Sequence, residues 1–348
     1  MLKSYKYRIY PNADQQKLIE QTFGAARLVY NLGLSIKIDS WKYLEKSVSM
    51  FDLTGQIPEL RKECAWIKDV DSYALLYSIY NLDKAYKKFF KGSGFPKFKK
   101  KNNHKSYTTV FKKKTNASLG NLFITKIPNI KMEVSRGFSG AAKRVTISKT
   151  PTGKYFASIL VETPEVLPVK PPVEPNKAVG IDLGLKEFLI TSEGFRVVNP
   201  KYLRNSIDRL KVLQRRASKK KKGSNNRKKA NLKVAIQHER IANKRTDFLH
   251  KLSTGLVRDS QATTFCMETL KVKNMVKNHK LAQSINDASW AEFVGQMQYK
   301  CDWYGKNFIQ IGTFEPSSKM CSGCGDVKKE LLLSERTYNC EYCGLTMT

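Results

Sequence analysis

The stretch "AVGIDLGLKEFLITSEGFRVV" (residues 178–198) decides how the second half of this chain is read. It opens as a buried-type strand, closes that strand on Asp182 with Gly180 and Gly184 beside the acid, and then turns as a hairpin at Ser192-Glu193-Gly194. An acid ending an apolar strand puts a carboxylate at the mouth of a sheet, where a cation can sit. Aspartates also follow strands simply as caps, so this stretch alone leaves both readings open.

Upstream lies "TPEVLPVKPPVEPNK" (163–177), with five prolines in fifteen residues. It reads as a stiff linker, and 166–177 is the clearest domain boundary. Before it, residues 3–10 alternate as a half-buried strand that Pro11 ends. A helix follows, with Asn12 or Asp14 as its cap and Leu18, Phe23, Leu28, Tyr30, Leu32 and Leu34 at helical spacing. A second helix runs from about Ser72 to Phe90. Residues 119–163 carry short β signals broken by Gly, Pro and Asn, which predict a small barrel or sheet that the first strand joins.

Downstream, residues 196–251 hold nineteen Lys or Arg against three acids, a pattern of long basic helices broken near Gly223-Ser224. The strand "ATTFCMETLKV" (262–272) then closes on a second carboxylate, Glu268. A helix through "WAEFVGQMQYKCDWYGKNF" (290–308) and a strand "IQIGTF" (309–314) follow. Acids on separate strands, 86 positions apart, match what an RNase H-like sheet uses to hold two Mg²⁺ about 4 Å apart. Asp287 is a further acid, expected to cap the helix that starts at Trp290.

Charge narrows the partners. Lys and Arg total 63 against 30 Asp and Glu, a net +33, and such self-repulsion calls for a polyanion. Nucleic acid fits. An acidic membrane surface fits less well, because no basic helix with a bulky apolar face is evident. No apolar run approaches the roughly 20 residues of a membrane span, and the first residues lack a secretory core, so a cytoplasmic protein is expected. From Lys84 to Lys114 there are twelve lysines, seven aromatics and no acid. Lysine runs are often only solvated faces, but interleaved aromatics add surfaces on which bases stack. The candidate nucleic-acid contacts are Lys87, Lys88, Lys97, Lys99, Lys100, Arg215, Arg216, Lys219, Lys220, Arg227 and Lys228.

Seven cysteines, four of them in paired knuckles, point to metal binding in a reducing compartment rather than to disulfides. Cys321, Cys324, Cys340 and Cys343 form C-x2-C, fifteen residues, C-x2-C, a ligand set that closes a tetrahedral sphere around one structural zinc ion. Cys64, Cys266 and Cys301 are expected to be buried thiols.

In this order, "VGIDLGLKEFLITSEG" (179–194), "FCMETLKVKNM" (265–275) and "EPSSKMCSGCGDVKKELLLSERTYNCEYCG" (315–344) resemble the TnpB (OrfB) family. Its members are transposon-encoded RNA-guided DNA endonucleases related to type V CRISPR effectors. The opening "KYRIYPNADQQKLIEQTFGAARLVYNLGL" (6–34) is similar as well. The resemblance implies an α+β multidomain fold. Residues 1–10 and 108–165 would form a wedge-like β-barrel, and 11–107 a helical recognition lobe. After the 166–177 linker, 178–348 would form a RuvC-type domain with basic helices at 199–251 and an inserted zinc ribbon at 317–346.

The resemblance also assigns Asp182 and Glu268 as catalytic, magnesium-holding acids. It gives a guide RNA from the transposon end and a double-stranded target DNA as partners. Family members continue past the last cysteine pair into an "RDxNAA"-like motif that supplies a third acid. This sequence stops at "CGLTMT" (343–348), and Asp326 and Glu335 lie inside the ribbon loop. The expectation is therefore guide and target binding with cleavage lost or impaired. The alternatives are an active endonuclease whose C-terminal part is missing from this sequence, and an RNA-independent zinc-ribbon DNA-binding protein. A histidine-based single-strand transposase is disfavoured, because His104, His238, His250 and His279 are far apart in sequence.

Overall fold

Alternation along the first strand, β1 (Leu2–Tyr10), buries Tyr7 and Ile9 and leaves Lys6 and Tyr10 exposed. The structure, a computed structural model, describes residues 1–101, 104–111, 120–312, 319–321, 323–328 and 337–347. Lys112 to Lys114, Glu335 and much of the ribbon loop therefore lie outside the described residues. The chain divides into two compact units, residues 1–166 with 228–236 and residues 167–227 with 237–348.

In the first unit, β1 joins β2 (Lys105–Thr109), β3 (Asn121–Ile124), β4 (Ile127–Glu133), β5 (Ala141–Lys149) and β6 (Tyr155–Glu162). They form one antiparallel sheet in the order β2-β5-β6-β1-β4-β3, so the N-terminal strand is inserted between β6 and β4. Helix α1 (Ala13–Leu44) starts in a capping box: Asn12 accepts from the Gln15 amide, and Gln15 accepts from the Asn12 amide. Its Ile19, Phe23 and Ala26 pack on the sheet core. Its later turns pack on α4 (Ser72–Phe90) with Leu34, Leu75, Ile79 and Leu82. Gly33 permits that approach, since a Cβ there would stand 3.0 Å from Ile79 Cδ1. Between the two long helices lie α2 (Met50–Gly55) and α3 (Ile57–Glu63), short helices the sequence reading did not anticipate. Asp71 caps α4 and also accepts from the Thr109 hydroxyl of β2, and burial raises its pKa.

In the second unit, β7 (Ala178–Leu183), β8 (Glu187–Thr191), β9 (Arg196–Val198), β10 (Thr264–Glu268) and β11 (Asn307–Ile311) form a sheet in the order β11-β10-β7-β8-β9. The β11-β10-β7 pairs are parallel and the β7-β8-β9 pairs antiparallel. The basic stretch is helical as expected: α5 (Ile207–Ser218) and α6 (Asn225–Asp259), the second capped by Ser224. Short α7 (Val272–Met275), then α8 (His279–Ala288) and α9 (Trp290–Tyr304), lead into β11. Val179, Ile181, Phe265 and Met267 meet Leu249 and Val257 of α6 and Phe293 and Met297 of α9 in one core. The Phe188 and Phe293 rings cross edge-to-face at 5.2 Å. Between α6 and α9, buried Lys300 donates to the His250 carbonyl at 2.9 Å and to the Ser253 and Thr254 hydroxyls at 2.7 Å each.

Several expectations change here. Asp287 does not cap the helix at Trp290; Ser289 holds that position. Asp287 is instead buried at the end of α8, where its carboxylate accepts from the Leu203 and Arg204 amides at 2.9–3.2 Å and caps the turn at 204–206. Helix α9 ends at Tyr304, not Phe308. Gly305 adopts φ +65, and a Cβ there would fall 2.7 Å from Pro168 Cβ. The proline segment is thus no free spacer from Leu167 onward. Lys170 pairs with Asp302 at 2.7 Å, and the Asn307 side-chain amide donates to the Pro171 carbonyl. Cys301 is buried, but Cys64, at the C-terminal cap of α3, and Cys266, mid-strand in β10 on the face opposite Phe265 and Met267, are only half-buried.

Candidate functional site

Parallel pairing of β7 with β10 aligns Gly180 with Cys266 and Ile181 with Met267. Asp182 and Glu268 are the next residue on each strand. Because side chains alternate, Val179, Ile181, Phe265 and Met267 enter the core, and Asp182 and Glu268 share the opposite face. The two acids interact electrostatically. Asp182 has its pKa raised by partial loss of water and, next, by the Glu268 charge, while the Leu183 amide works the other way. Asp182 keeps exposed surface, so the Glu268 charge is the more specific of the two causes.

The glycines beside the acid have separate jobs. Gly184 lets the β7–β8 turn close, since a Cβ there would meet the Glu187 carbonyl at 2.7 Å. Gly180 accepts a close neighbour, Ser192, whose hydroxyl takes the Gly180 amide proton at 3.1 Å. Arg196 lies on the same face two strands away, through the pairs Asp182–Ile190 and Ile190–Arg196. Sequence spacing gave no sign of Arg196 or Ser192; only the strand register brings them to this face. Two carboxylates on adjacent strands suit one hard divalent cation. Among the described residues the one group of three or more close metal-ligand side chains is elsewhere, at the cysteines.

There, Cys321, Cys324, Cys340 and Cys343 converge with all four sulfurs within 4.8 Å of one another. Cys321 and Cys343 are 3.5 Å apart and Cys324 and Cys340 are 3.6 Å apart, close to the sulfur spacing of about 3.8 Å that a tetrahedral ion with 2.3 Å Zn–S bonds requires. The donors and the spacing fit zinc. Each knuckle is a tight turn closed by a backbone bond, Gly325 to Cys321 and Gly344 to Cys340, with both glycines at positive φ. The Cys343 amide, followed by the Tyr342 amide, holds the Cys340 thiol down at about 6.

The basic candidates do not behave alike. Lys88, Lys97 and Lys100 are exposed. Lys87 is exposed as well but pairs with Asp83 at 2.9 Å. Lys99 is exposed too, with its ammonium 3.9 Å from the Tyr30 ring centre, and its backbone exchanges two hydrogen bonds with the Asn31 side chain. The interleaved aromatics pack largely on one another, with Phe89, Phe90 and Phe95 around Tyr86 and one another at 5.3–6.4 Å. Arg215, Arg216, Lys219, Lys220 and Lys228 are exposed. Arg227 is half-buried and donates to the Lys220 carbonyl, so it closes the turn between α5 and α6. Among the described residues no helix is long and apolar enough to cross a membrane.

Residues 158–279 match the family OrfB_IS605, described as "Probable transposase", and residues 290–348 match the "Cas12f1-like, TNB domain". Residues 1–46 match a family described as "Helix-turn-helix domain", although here they form a strand and one long helix. A Streptomyces pristinaespiralis protein named "Putative RNA-guided DNA endonuclease" is 37% identical across 98% of this chain and 85% of its own length. The Escherichia coli K12 protein "Putative RNA-guided DNA endonuclease InsQ" is 30% identical across 99% of this chain and 89% of its own. The protein of a solved Cas12f1–sgRNA–target DNA complex superposes over 99% of this chain and 96% of its own, with a TM-score of 0.61 at 12% identity. The fold is therefore Cas12f1-like.

Proposed function

Because the chain belongs to the TnpB (OrfB) family, we propose that it binds a guide RNA and uses it to engage double-stranded DNA. In this reading residues 178–348 act as a RuvC-type, RNase H-like domain carrying a zinc ribbon. The six-stranded sheet and its helices act as wedge and recognition lobe, and 166–177 joins the two parts. The observation that carries the nuclease-domain part of this reading is the alignment of Asp182 and Glu268 on one face of adjacent parallel strands, and the net charge of +33 supports the binding part. A bound magnesium ion would activate water and stabilise a leaving oxygen there. The chain's own part is to hold the ion: Asp182 and Glu268 offer oxygens, Gly184 lets the turn after Asp182 close, and the Ser192 hydroxyl fixes the Gly180 amide.

Two carboxylates anchor a divalent ion less firmly than three, so cleavage by Asp182 and Glu268 alone would be slow, while guide and target binding would persist. Binding is spread over many cations and does not depend on the acids. The four cysteines would hold a structural zinc ion, their four thiolates leaving no coordination position for a catalytic water.

The test is to express the chain beside its own flanking DNA, purify it and sequence the bound RNA. Enrichment of one RNA species from the adjacent transposon end is expected. An RNA profile matching the cell's total transcripts would favour the RNA-independent reading.

A further inference from the structure

We propose that the solvent face of the six-stranded sheet, centred on Phe156, Lys6 and Arg8, is a stacking platform for an unpaired RNA nucleotide. The proposal rests on the guide-RNA reading and names a place where the RNA is held. Alternation sends Tyr7, Ile9, Tyr155, Ala157, Val145, Ile147 and Tyr107 into the core. It leaves Lys6 and Arg8 of β1, Phe156 and Ser158 of β6, Thr146 and Ser148 of β5, and Ser106 and Thr108 of β2 on the other face. The register sets these out in two rows. Arg8, Phe156, Ser148 and Ser106 form one, and Lys6, Ser158, Thr146 and Thr108 the other.

An aromatic ring on this polar face has no core to join. Its neighbours are cations instead: Lys6 Nζ lies 4.6 Å and Arg8 Cζ 5.2 Å from the Phe156 ring centre. Arg8 also lies 5.3 Å from the Tyr10 ring, and the Tyr10 hydroxyl is tethered to Glu133 at 2.6 Å. Among the described residues neither cation pairs with a carboxylate; Lys6 rests on the Phe156 ring, and Arg8 rests on the Phe156 and Tyr10 rings and donates to the Tyr155 carbonyl at 3.4 Å. A cation held by a ring is easily drawn to a phosphate, because the ring contributes only about 0.5–1 kcal/mol at an exposed site. Its departure uncovers the ring for a base, and base–aromatic stacking is worth about 1–3 kcal/mol.

The hydroxyl rows choose among nucleic acids. Ser148, Ser158 and the Thr108–Thr146 pair, whose oxygens are 2.9 Å apart, present donors and acceptors beside the ring, suited to a ribose 2′-hydroxyl. A duplex keeps its bases in its own stack, and DNA lacks the 2′-hydroxyl. Unpaired RNA meets all three features.

The probes are labelled oligouridine RNA, oligodeoxyuridine of equal length and an RNA duplex, titrated with the full chain at several salt concentrations. Phe156→Ala should weaken oligouridine binding about tenfold with its salt slope unchanged, and Phe156→Trp should restore it. The double variant Lys6→Gln, Arg8→Gln should lower the salt slope by about 1.4, at about 0.7 per contact on a single strand. A 4-thiouridine crosslink should map to β1 or β6, and thermal unfolding confirms that each variant is folded. Three results would each overturn the platform: an unchanged Phe156→Ala affinity in folded protein, an equal loss on the duplex, or an equal loss on oligodeoxyuridine. Failure of the unaltered chain to bind any RNA would overturn the guide reading together with it.

Discussion

Asp182 and Glu268 each stand one residue beyond the Ile181–Met267 pair, on the coreless face of two parallel strands. Hydrophobic burial sets this geometry: the apolar partners fix the register, and the register delivers the acids. Replacing either acid should lower the affinity for Mn²⁺, read by calorimetry or spin resonance, by about tenfold or more. Asp182→Ala should leave DNA retention on a filter unchanged, since the cations that grip the backbones lie elsewhere. Equal loss of metal and DNA binding would mean that the acids support the fold rather than an ion.

Purified chain should carry one zinc per molecule, measured by elemental analysis. Cys321→Ser or Cys340→Ser should reduce that to near zero, because three thiolates and one weak hydroxyl no longer close the tetrahedral set. Protease sensitivity should rise at 319–347, while the two larger sheets, which have their own apolar cores, keep their circular dichroism.

Asp287→Ala should destabilise the protein by about 1–2 kcal/mol in urea unfolding, because it leaves the partly buried Leu203 and Arg204 amides without their charged acceptor. Asp287→Asn keeps one acceptor oxygen and should lose less. A change in metal binding without a change in stability would make Asp287 a ligand rather than a cap.

Burial lowers the Lys300 pKa from 10.5 to about 8, because packing between α6 and α9 takes water from its ammonium and leaves only neutral oxygens around it. The unfolded chain then binds the proton more tightly than the folded one. Below about pH 8 the cost of the buried charge is fully present, and between about 8 and 10.5 stability should rise with pH. At about 1.4 kcal/mol per pKa unit the rise is at most about 3.5 kcal/mol. Lys300→Met removes the titrating group, so comparing the two proteins by urea unfolding across that window should isolate the difference. Parallel curves would place the Lys300 ammonium in contact with water.

Much of this was legible from residue patterns. The strand at 2–10, the capped helix after Asn12, the helix at 72–90 and the break before Ser224 all follow local rules of period and capping, which the structure obeys. The four cysteines are legible for the same reason, since each pair is local and only one closure is needed. What the sequence concealed depends on long-range pairing. Neither the Asp287 contact with Leu203, across 84 positions, nor the shared face of Arg196 and Asp182 has a local signature. Composition counts cations and does not say what each rests on: the Lys99 ammonium lies over a tyrosine ring and Arg227 donates to a backbone carbonyl.

Guided DNA binding is the central claim, and one measurement addresses it directly. The chain is loaded with a guide RNA carrying a chosen target segment and then mixed with labelled duplex DNA bearing either that segment or a scrambled one. Retention of the matched duplex alone, and its persistence in Asp182→Ala, is the predicted result. Equal retention of matched and scrambled DNA, or retention that does not depend on the guide, would contradict the account.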